Sequence, residues 1–258
     1  MTAAAPSVYV ELAQRLADAS GAVIRRHFRT PVAVDAKGDA TPVTIADREA
    51  EAAIRALLKA ECPDHGILGE EHGSEALDAE HVWVIDPIDG TKSFISGRPI
   101  FGTLIALFHR GRPVIGVIDQ PILRERWAGA AGQPTLFNGE AVRARACPRL
   151  DLATLTTTAP DLFDETDGQA FARLKAACRY TTYGSDCYGY ALVALGFLDL
   201  VLESGLKSYD WGALVPVLEG AGAIVTDWEG RAPELGVTSR ILVAGDPALH
   251  AAALGVIR

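Results

Sequence analysis

Two carboxylates, Asp86 and Asp89, follow an apolar run from Val82 to Ile85 and lead into Gly90 and Thr91. A short apolar run of this kind reads as a buried strand. Acids this close together at a strand end repel one another unless a positive charge sits between them. A hard divalent cation such as Mg²⁺ is the natural partner, because it takes oxygen ligands and keeps several waters. The Gly90-Thr91 turn then offers backbone amides to an anion. Strand, acids and anion cradle together point to metal-assisted chemistry on a phosphate.

The rest of the chain must position these groups. It has 258 residues, 49% of them apolar, enough for a sizeable core. The net charge of −9 argues against a nucleic-acid surface, which would cluster Lys and Arg. It leaves an anionic substrate open, because a bound cation inverts the local field. Cys62, Cys147, Cys178 and Cys187 are scattered without a C-x-x-C pair, so neither a zinc site nor a disulfide framework is expected. Met1 to Pro6 has no charged start and no apolar segment after it. No stretch reaches the roughly 20 apolar residues of a membrane span. The expectation is a soluble, cytoplasmic protein with no membrane or nucleic-acid partner.

Leu12, Leu16, Ala19 and Val23 recur at helical spacing, predicting a helix over Ser7–Phe28. A polar stretch with Lys37 follows, and Thr44 is placed to cap a second helix carrying Ile54, Leu57 and Leu58. Gly66 to Leu68 reads as a strand entering Glu70-Glu71. Thr103–Phe108 and Pro113–Asp119 read as a hairpin joined through Gly111, and the meander continues to Asn138-Gly139. After residues 141–154 the pattern alternates. Helices are expected over Gln169–Cys178, Cys187–Gly196 and Trp211–Gly222, with strands at Arg179–Tyr183, Leu198–Glu203, Ile224–Asp227 and Ile241–Ala244, then a short terminal helix. This order suggests a layered α/β sandwich (α+β type) in two halves, 1–140 and 141–258.

Further acids fall at predicted element ends: Asp47, Glu70-Glu71, Glu203 and Asp210. With WVIDPIDGT at 83–91 and SYDWGALVPVLEGAGA at 208–223, the chain resembles the inositol monophosphatase-like family of magnesium-dependent phosphatases over nearly its whole length. The resemblance implies an αβαβα sandwich and two or three Mg²⁺ per active site. Glu70, Asp86 and the Ile88 carbonyl would hold one ion; Asp86, Asp89 and Asp210 a second; a third would lie near Glu70. It also implies an in-line attack by water at the first ion, with Asp47, Glu70 and Thr91 taking the proton. A threonine hydroxyl can only relay that proton to a carboxylate. Gly90 and Thr91 amides would hold the phosphate, and Asp210 would lie beside the leaving oxygen.

Other readings of these residues stand beside these. Asp47, three residues after Thr44, could complete a capping box. Asp210 could cap a helix starting at Trp211, and Asp186 one starting at Cys187. Glu71 reads as a supporting or solvated acid, and Lys37 as an ion contact or a solvated loop residue. The six histidines, His27, His65, His72, His81, His109 and His250, match no motif and read as surface residues.

Substrate choice must come from the second half. Gly184-Ser185-Asp186-Cys187-Tyr188, and Ser93 two residues after Thr91, resemble the histidinol-phosphatase branch of the family. Histidinol phosphate carries an ammonium and an imidazole, and Asp186 and Glu203 would accept from them. An acid left unpaired by the wrong ligand discriminates well. The alternatives are an inositol monophosphatase or broad sugar-phosphate phosphatase, a 3′-phosphoadenosine 5′-phosphate phosphatase, and an inactive binding protein. The intact acids oppose the last. The resemblance further implies a homodimer, to which the apolar strand Thr103–Phe108 could contribute.

Overall fold

The computed structural model describes residues 6–36 and 42–258, so Lys37 lies outside the described residues. The first helix, α1 (Ser7–His27), buries Leu12, Leu16, Ser20, Val23 and Ile24 on one face. Arg25, Arg26 and His27 occupy its last turn, where cations oppose the helix dipole. Two short strands, β1 (Val34–Ala36) and β2 (Pro42–Thr44), pair antiparallel where the sequence reading had only a polar stretch. Thr44 then caps α2 (Ile45–Glu61), as its position predicts: its Oγ1 accepts from Ala46 N at 3.1 Å.

An eight-stranded sheet carries the first half. Its strands are β3 (Gly66–Gly69), β4 (Gly73–Glu75), β5 (His81–Asp89), β6 (Gly102–His109), β7 (Arg112–Gln120), β8 (Glu125–Ala130), β9 (Leu136–Phe137) and β10 (Glu140–Ala141). They lie in the order β10-β9-β8-β7-β6-β5-β3-β4, with a short helix α3 (Thr91–Ile95) directly after β5. Both sheet faces are covered, so the strands are continuously apolar, not alternating. Trp83, Ile85, Ile105 and Leu107 pack against α1 and α2. Val82, Val84, Leu104, Ala106 and Phe108 face the other way, into the middle of the molecule. The strand once expected to reach a subunit interface, β6, is an interior strand with Leu104 to Phe108 fully buried, so it has no surface to offer.

A five-stranded sheet follows, ordered β12-β11-β13-β15-β14. It comprises β11 (Thr154–Thr157), β12 (Tyr180–Tyr183), β13 (Leu200–Glu203), β14 (Ile224–Thr226) and β15 (Ile241–Ala244). The helices α4 (Glu165–Ala177) and α8 (Pro247–Ile257) cover one face through Phe171, Leu174, Leu249 and Ala253. Between the two sheets lie α5 (Asp186–Ala194), α6 (Ser208–Trp211) and α7 (Leu214–Gly220). The layers therefore run αβαβα. Where one helix was expected over Trp211–Gly222 there are two short ones. Pro216 has no N–H to continue the ladder back to the Gly212 carbonyl, so the hydrogen-bonded helix is interrupted although Gly212 and Ala213 keep helical dihedrals. No helix among the described residues is long and apolar enough to cross a membrane.

His72 is exposed as expected, but four other histidines depart from the surface expectation. His81 and His109 are cross-strand partners, and their rings stack at 4.8 Å. His65 stacks on His81 at 4.9 Å and accepts from Trp83 Nε1 at 3.1 Å. His250 is buried against Thr226. The stacked trio lies at the start of β5, the opposite end of that strand from Asp86 and Asp89.

One buried ion pair fixes the turn that carries Glu70. Glu51, fully buried in α2, accepts from Arg55 Nε at 2.7 Å and from the backbone amides of Glu71 at 2.7 Å and His72 at 3.2 Å. A β-carbon on Gly69 would collide with the Glu51 carboxylate, so only glycine fits beneath it. Arg55 also reaches Glu75 at 2.9 Å and the Gly73 carbonyl, tying β4 to the helix. Removing Glu51 takes away the buried partner of Arg55 and leaves two amides without their acceptor. Glu51→Ala should therefore cost about 3 kcal/mol of stability in urea unfolding. A loss below about 0.5 kcal/mol, the range of an ordinary surface substitution, would contradict this role.

Candidate active site

In a regular strand, residues three apart point to opposite faces. Asp86 and Asp89 do not, because β5 is bulged between them: Asp86 pairs with Leu104 but Asp89 with Gly102. Pro87 sits in the bulge, where its missing N–H costs no ladder bond, and its carbonyl accepts from Thr103 Oγ1 at 2.8 Å. Ile88 N donates to Asp86 Oδ1 at 3.0 Å and fixes that carboxylate. Both acids thus turn into one cleft. Asp210 enters from α6, and oxygens of Asp86, Asp89 and Asp210 all lie within 4.8 Å of one another.

Each acid is also held from behind. Cys187 N, at the start of α5, donates to Asp89 Oδ2 at 2.6 Å. Lys207 N donates to Asp210 Oδ2 at 2.6 Å. Asp210 therefore braces the first turn of α6 from within it; the helix starts at Ser208, ahead of the Trp211 start expected from sequence. Glu70 N donates to Ile85 O at 3.1 Å, which sets Glu70 beside Asp86. The Ile88 carbonyl accepts from Thr91 Oγ1 at 3.2 Å.

The electrostatics of this cleft are unfavourable without a cation. Burial pushes the Asp86 carboxyl well up, and the charges of Glu70, Asp89 and Asp210 push it further. Burial likewise raises Asp89, with Asp186 and Asp210 adding to it. An all-oxygen, mutually repelling donor set fits a hard divalent ion. No nitrogen or sulfur side chain belongs to that cluster among the described residues.

Asp47 takes the capping part that its position allows and also faces Thr91. Its Oδ2 accepts from Thr44 N at 2.8 Å and Thr44 Oγ1 at 2.6 Å, completing the capping box of α2. Its Oδ1 faces Thr91 Oγ1 at 3.3 Å. Burial raises the Asp47 carboxyl, partly offset by the Thr44 hydrogen bonds. Gly90 joins β5 to α3 in a left-handed conformation, φ 89°. A β-carbon there would also lie 2.7 Å from Asp186 Oδ2.

Asp186 does not cap α5 in the way considered from sequence. It is itself left-handed, φ 44°, which is uncommon for a residue other than glycine. Its Oδ2 accepts from Ser93 Oγ at 2.9 Å, across from another part of the chain. Burial raises its carboxyl, while Ser93, Arg98 and Lys92 pull it back. Glu203, buried at the end of β13, accepts from Thr158 N at 2.7 Å and Thr158 Oγ1 at 2.8 Å. Burial still pushes it up to about 7. Ser93, Thr158 and the Cys187 amide were not singled out as contacts from sequence. Only Ser93, inside the DGTKSF run, carried a signal that could have found it.

The Glu203 shift has a consequence for stability. Its ordinary value is 4.5, and in the folded protein it is about 7. Below 4.5 both states hold the proton, and the favourable contribution is complete. As pH rises towards 7 the unfolded chain loses the proton first, so stability is lost across that window. Glu203→Gln cannot ionise. In EDTA its melting temperature should gain on wild type as pH rises from about 5 to about 7.5. A difference that stays constant with pH would show that Glu203 is not protonated by burial.

The inositol monophosphatase family model matches residues 6–258. The chain is 49% identical over 255 residues to a bifunctional phosphatase, IMPL2, chloroplastic, from Arabidopsis thaliana, covering 95% of this chain and 74% of that one. It is 35% identical over 224 residues to a histidinol-phosphatase of Chlorobaculum parvum, covering 86% of each. A solved structure of an inositol monophosphatase from Zymomonas mobilis superposes with a TM-score of 0.90 at 49% identity, over 97% of this chain and 98% of that one. The acid cluster at the bulged end of β5 thus sits in the fold of a metal-dependent phosphatase family. This chain belongs to the inositol monophosphatase family and is a phosphoric monoester hydrolase acting on small phosphorylated substrates.

Proposed function

We propose that the protein hydrolyses L-histidinol phosphate to L-histidinol and phosphate, using Mg²⁺. The observation that carries the substrate reading is Asp186, a strained, half-buried acid set against Gly90 and Ser93 at the phosphate-binding turn. Glu203 lies close enough for the two charges to interact. Two acids near the alcohol portion of a substrate favour a cationic partner over the neutral hydroxyls of an inositol ring. The likeness to a protein named histidinol-phosphatase supports this. The 49% identical structure named an inositol monophosphatase favours a second reading, inositol 1-phosphate or a sugar phosphate.

The residues divide the work. Glu70, Asp86 and the Ile88 carbonyl would hold one Mg²⁺, and Asp86, Asp89 and Asp210 a second, with a third near Glu70. Bound ions would supply Lewis-acid charge to the phosphate and to the attacking water. The Gly90 and Thr91 amides, heading α3, orient the phosphate oxygens. Thr91 Oγ1 takes a proton from the water and passes one to Asp47 Oδ1, 3.3 Å away. The raised affinity of Asp47 for a proton suits it to receive one. Glu70 stands beside this pair as a second acceptor. Asp210 adjoins the leaving oxygen. Residues 1–140 then form the metal-binding half, and residues 141–258 complete that site and choose the substrate.

The same reading includes a homodimer and a cytoplasmic location. Exposed Tyr180 and Phe197, 58% and 67% accessible, offer apolar surface for a second subunit. Four free thiols suit a reducing compartment.

Phosphate release from L-histidinol phosphate and from myo-inositol 1-phosphate, each with Mg²⁺ and with EDTA, tests the substrate. A Mg²⁺-dependent preference for the histidinol ester is expected; a preference for the inositol ester would overturn the reading. Asp89→Asn and Asp210→Asn should each lose at least about a hundredfold in kcat while staying folded, the scale seen when one electrostatic contact in an active site is removed. Wild-type turnover in either would remove it from the metal site. Asp186→Ala should raise KM for histidinol phosphate with Mg²⁺ dependence retained, and an unchanged KM would exclude the contact.

A further inference from the structure

Along β5 and β6, Asp86 pairs with Leu104 and Asp89 with Gly102. Two residues, Pro87 and Ile88, therefore stand opposite one, Thr103. A bulge takes backbone groups out of the ladder, and each buried one needs another partner. Ile88 N finds Asp86 Oδ1 at 3.0 Å. The Pro87 carbonyl finds Thr103 Oγ1 at 2.8 Å, so the residue facing the bulge serves it with its side chain. Gly102, the next residue along β6, leaves room for Cys187 Sγ, which a β-carbon would approach at 2.8 Å, and the Cys187 amide holds Asp89. This short stretch of β6 thus bears on both acids.

Thr103 is held in turn. It is fully buried, and its Oγ1 lies 3.1 Å from Ser20 Oγ, itself fully buried on the inner face of α1. A hydroxyl has one proton to give, and a carbonyl can only accept. The Thr103 proton therefore goes to Pro87, and Ser20 donates to Thr103 Oγ1. A run of two hydrogen bonds joins α1 to the bulge across 83 positions of sequence. The branched threonine side chain has few rotamers open to it, so its hydroxyl is aimed and stays aimed. We propose that Thr103, backed by Ser20, is a positioning residue for the acid cluster. By holding the Pro87 carbonyl it fixes the bulge that turns Asp86 and Asp89 into one cleft. The assignment rests on the reading of that cluster as a cation site. It goes beyond that reading in giving a role to two hydroxyls outside the cluster and outside the Gly90 turn.

The test is Mn²⁺ affinity without substrate, read from the paramagnetic resonance of the free ion, together with melting temperatures in EDTA and in Mn²⁺. Thr103→Val keeps the branched shape and removes the hydroxyl, whereas Thr103→Ser keeps the hydroxyl. Thr103→Val should bind Mn²⁺ about tenfold more weakly than wild type, and Thr103→Ser within about twofold of it, the scale on which groups supporting metal ligands act. The rise in melting temperature that Mn²⁺ gives should shrink in Thr103→Val and persist in Thr103→Ser. Ser20→Ala takes away the donor behind Thr103 and should weaken binding about threefold, the worth of one ordinary hydrogen bond. That variant decides the matter should Thr103→Val fail to fold. A purely structural role would lower the melting temperature in EDTA and leave Mn²⁺ affinity unchanged, and that result would overturn the assignment. An equal loss of affinity in Thr103→Ser and Thr103→Val would overturn it too. A wild-type protein that binds no Mn²⁺ would overturn the cation-site reading itself, and the role of Thr103 with it. Wild-type binding with unchanged affinity in Thr103→Val and Ser20→Ala would remove the positioning role alone.

Discussion

Mutual repulsion among Asp86, Asp89 and Asp210 is the constraint on which the rest of this structure depends. Three acids with oxygens inside 4.8 Å, beside Glu70, cannot all carry charge in a buried cleft without a counter-ion. The fold keeps them together by rigid means. The β5 bulge turns two of them the same way, and backbone amides from Ile88, Cys187 and Lys207 hold all three. Those amides come from three separate parts of the chain, so the site exists only when both sheets and the helices between them are assembled.

The same economy runs through the surrounding residues. Asp47 caps α2 with one oxygen and faces Thr91 with the other, so one residue ties a helix start to the turn after β5. Glu51 supports the Glu70 turn from beneath while pairing with Arg55. Ser93 sits in α3, after the Gly90 turn, and holds Asp186 at the start of α5. The acid cluster, the Gly90 turn and Asp186 are thus one or two contacts apart. A shift in one would be felt by the others.

Much of this was legible in the chain. Apolar runs bounded by acids and glycines located β5, β6, β7 and β13, and Thr44 announced α2. Local rules do this well because hydrophobic period and capping act over a few residues. What escaped depended on partners distant in sequence. The stacking of His65, His81 and His109 follows from strand register, which no single segment specifies. Apolar Thr103–Phe108 looked like interface material, but an apolar run cannot tell an interior strand from an exposed one. The left-handed backbone of Asp186 is set by its contact with Ser93 and by the absence of a Gly90 side chain, 93 and 96 positions away in the sequence. The break between α6 and α7 had a local signal in Pro216, which cannot donate to the Gly212 carbonyl.

The direct test of the acid cluster as a cation site is a crystal of the protein grown with Mn²⁺, with anomalous diffraction recorded at the manganese edge. Manganese is a hard cation that suits the same oxygen ligands as Mg²⁺. An anomalous peak is expected within ligand distance of Asp86, Asp89 and Asp210, at about 2.0–2.3 Å from their oxygens. A crystal with no peak there, or with manganese bound only elsewhere, would contradict the role given to the cluster.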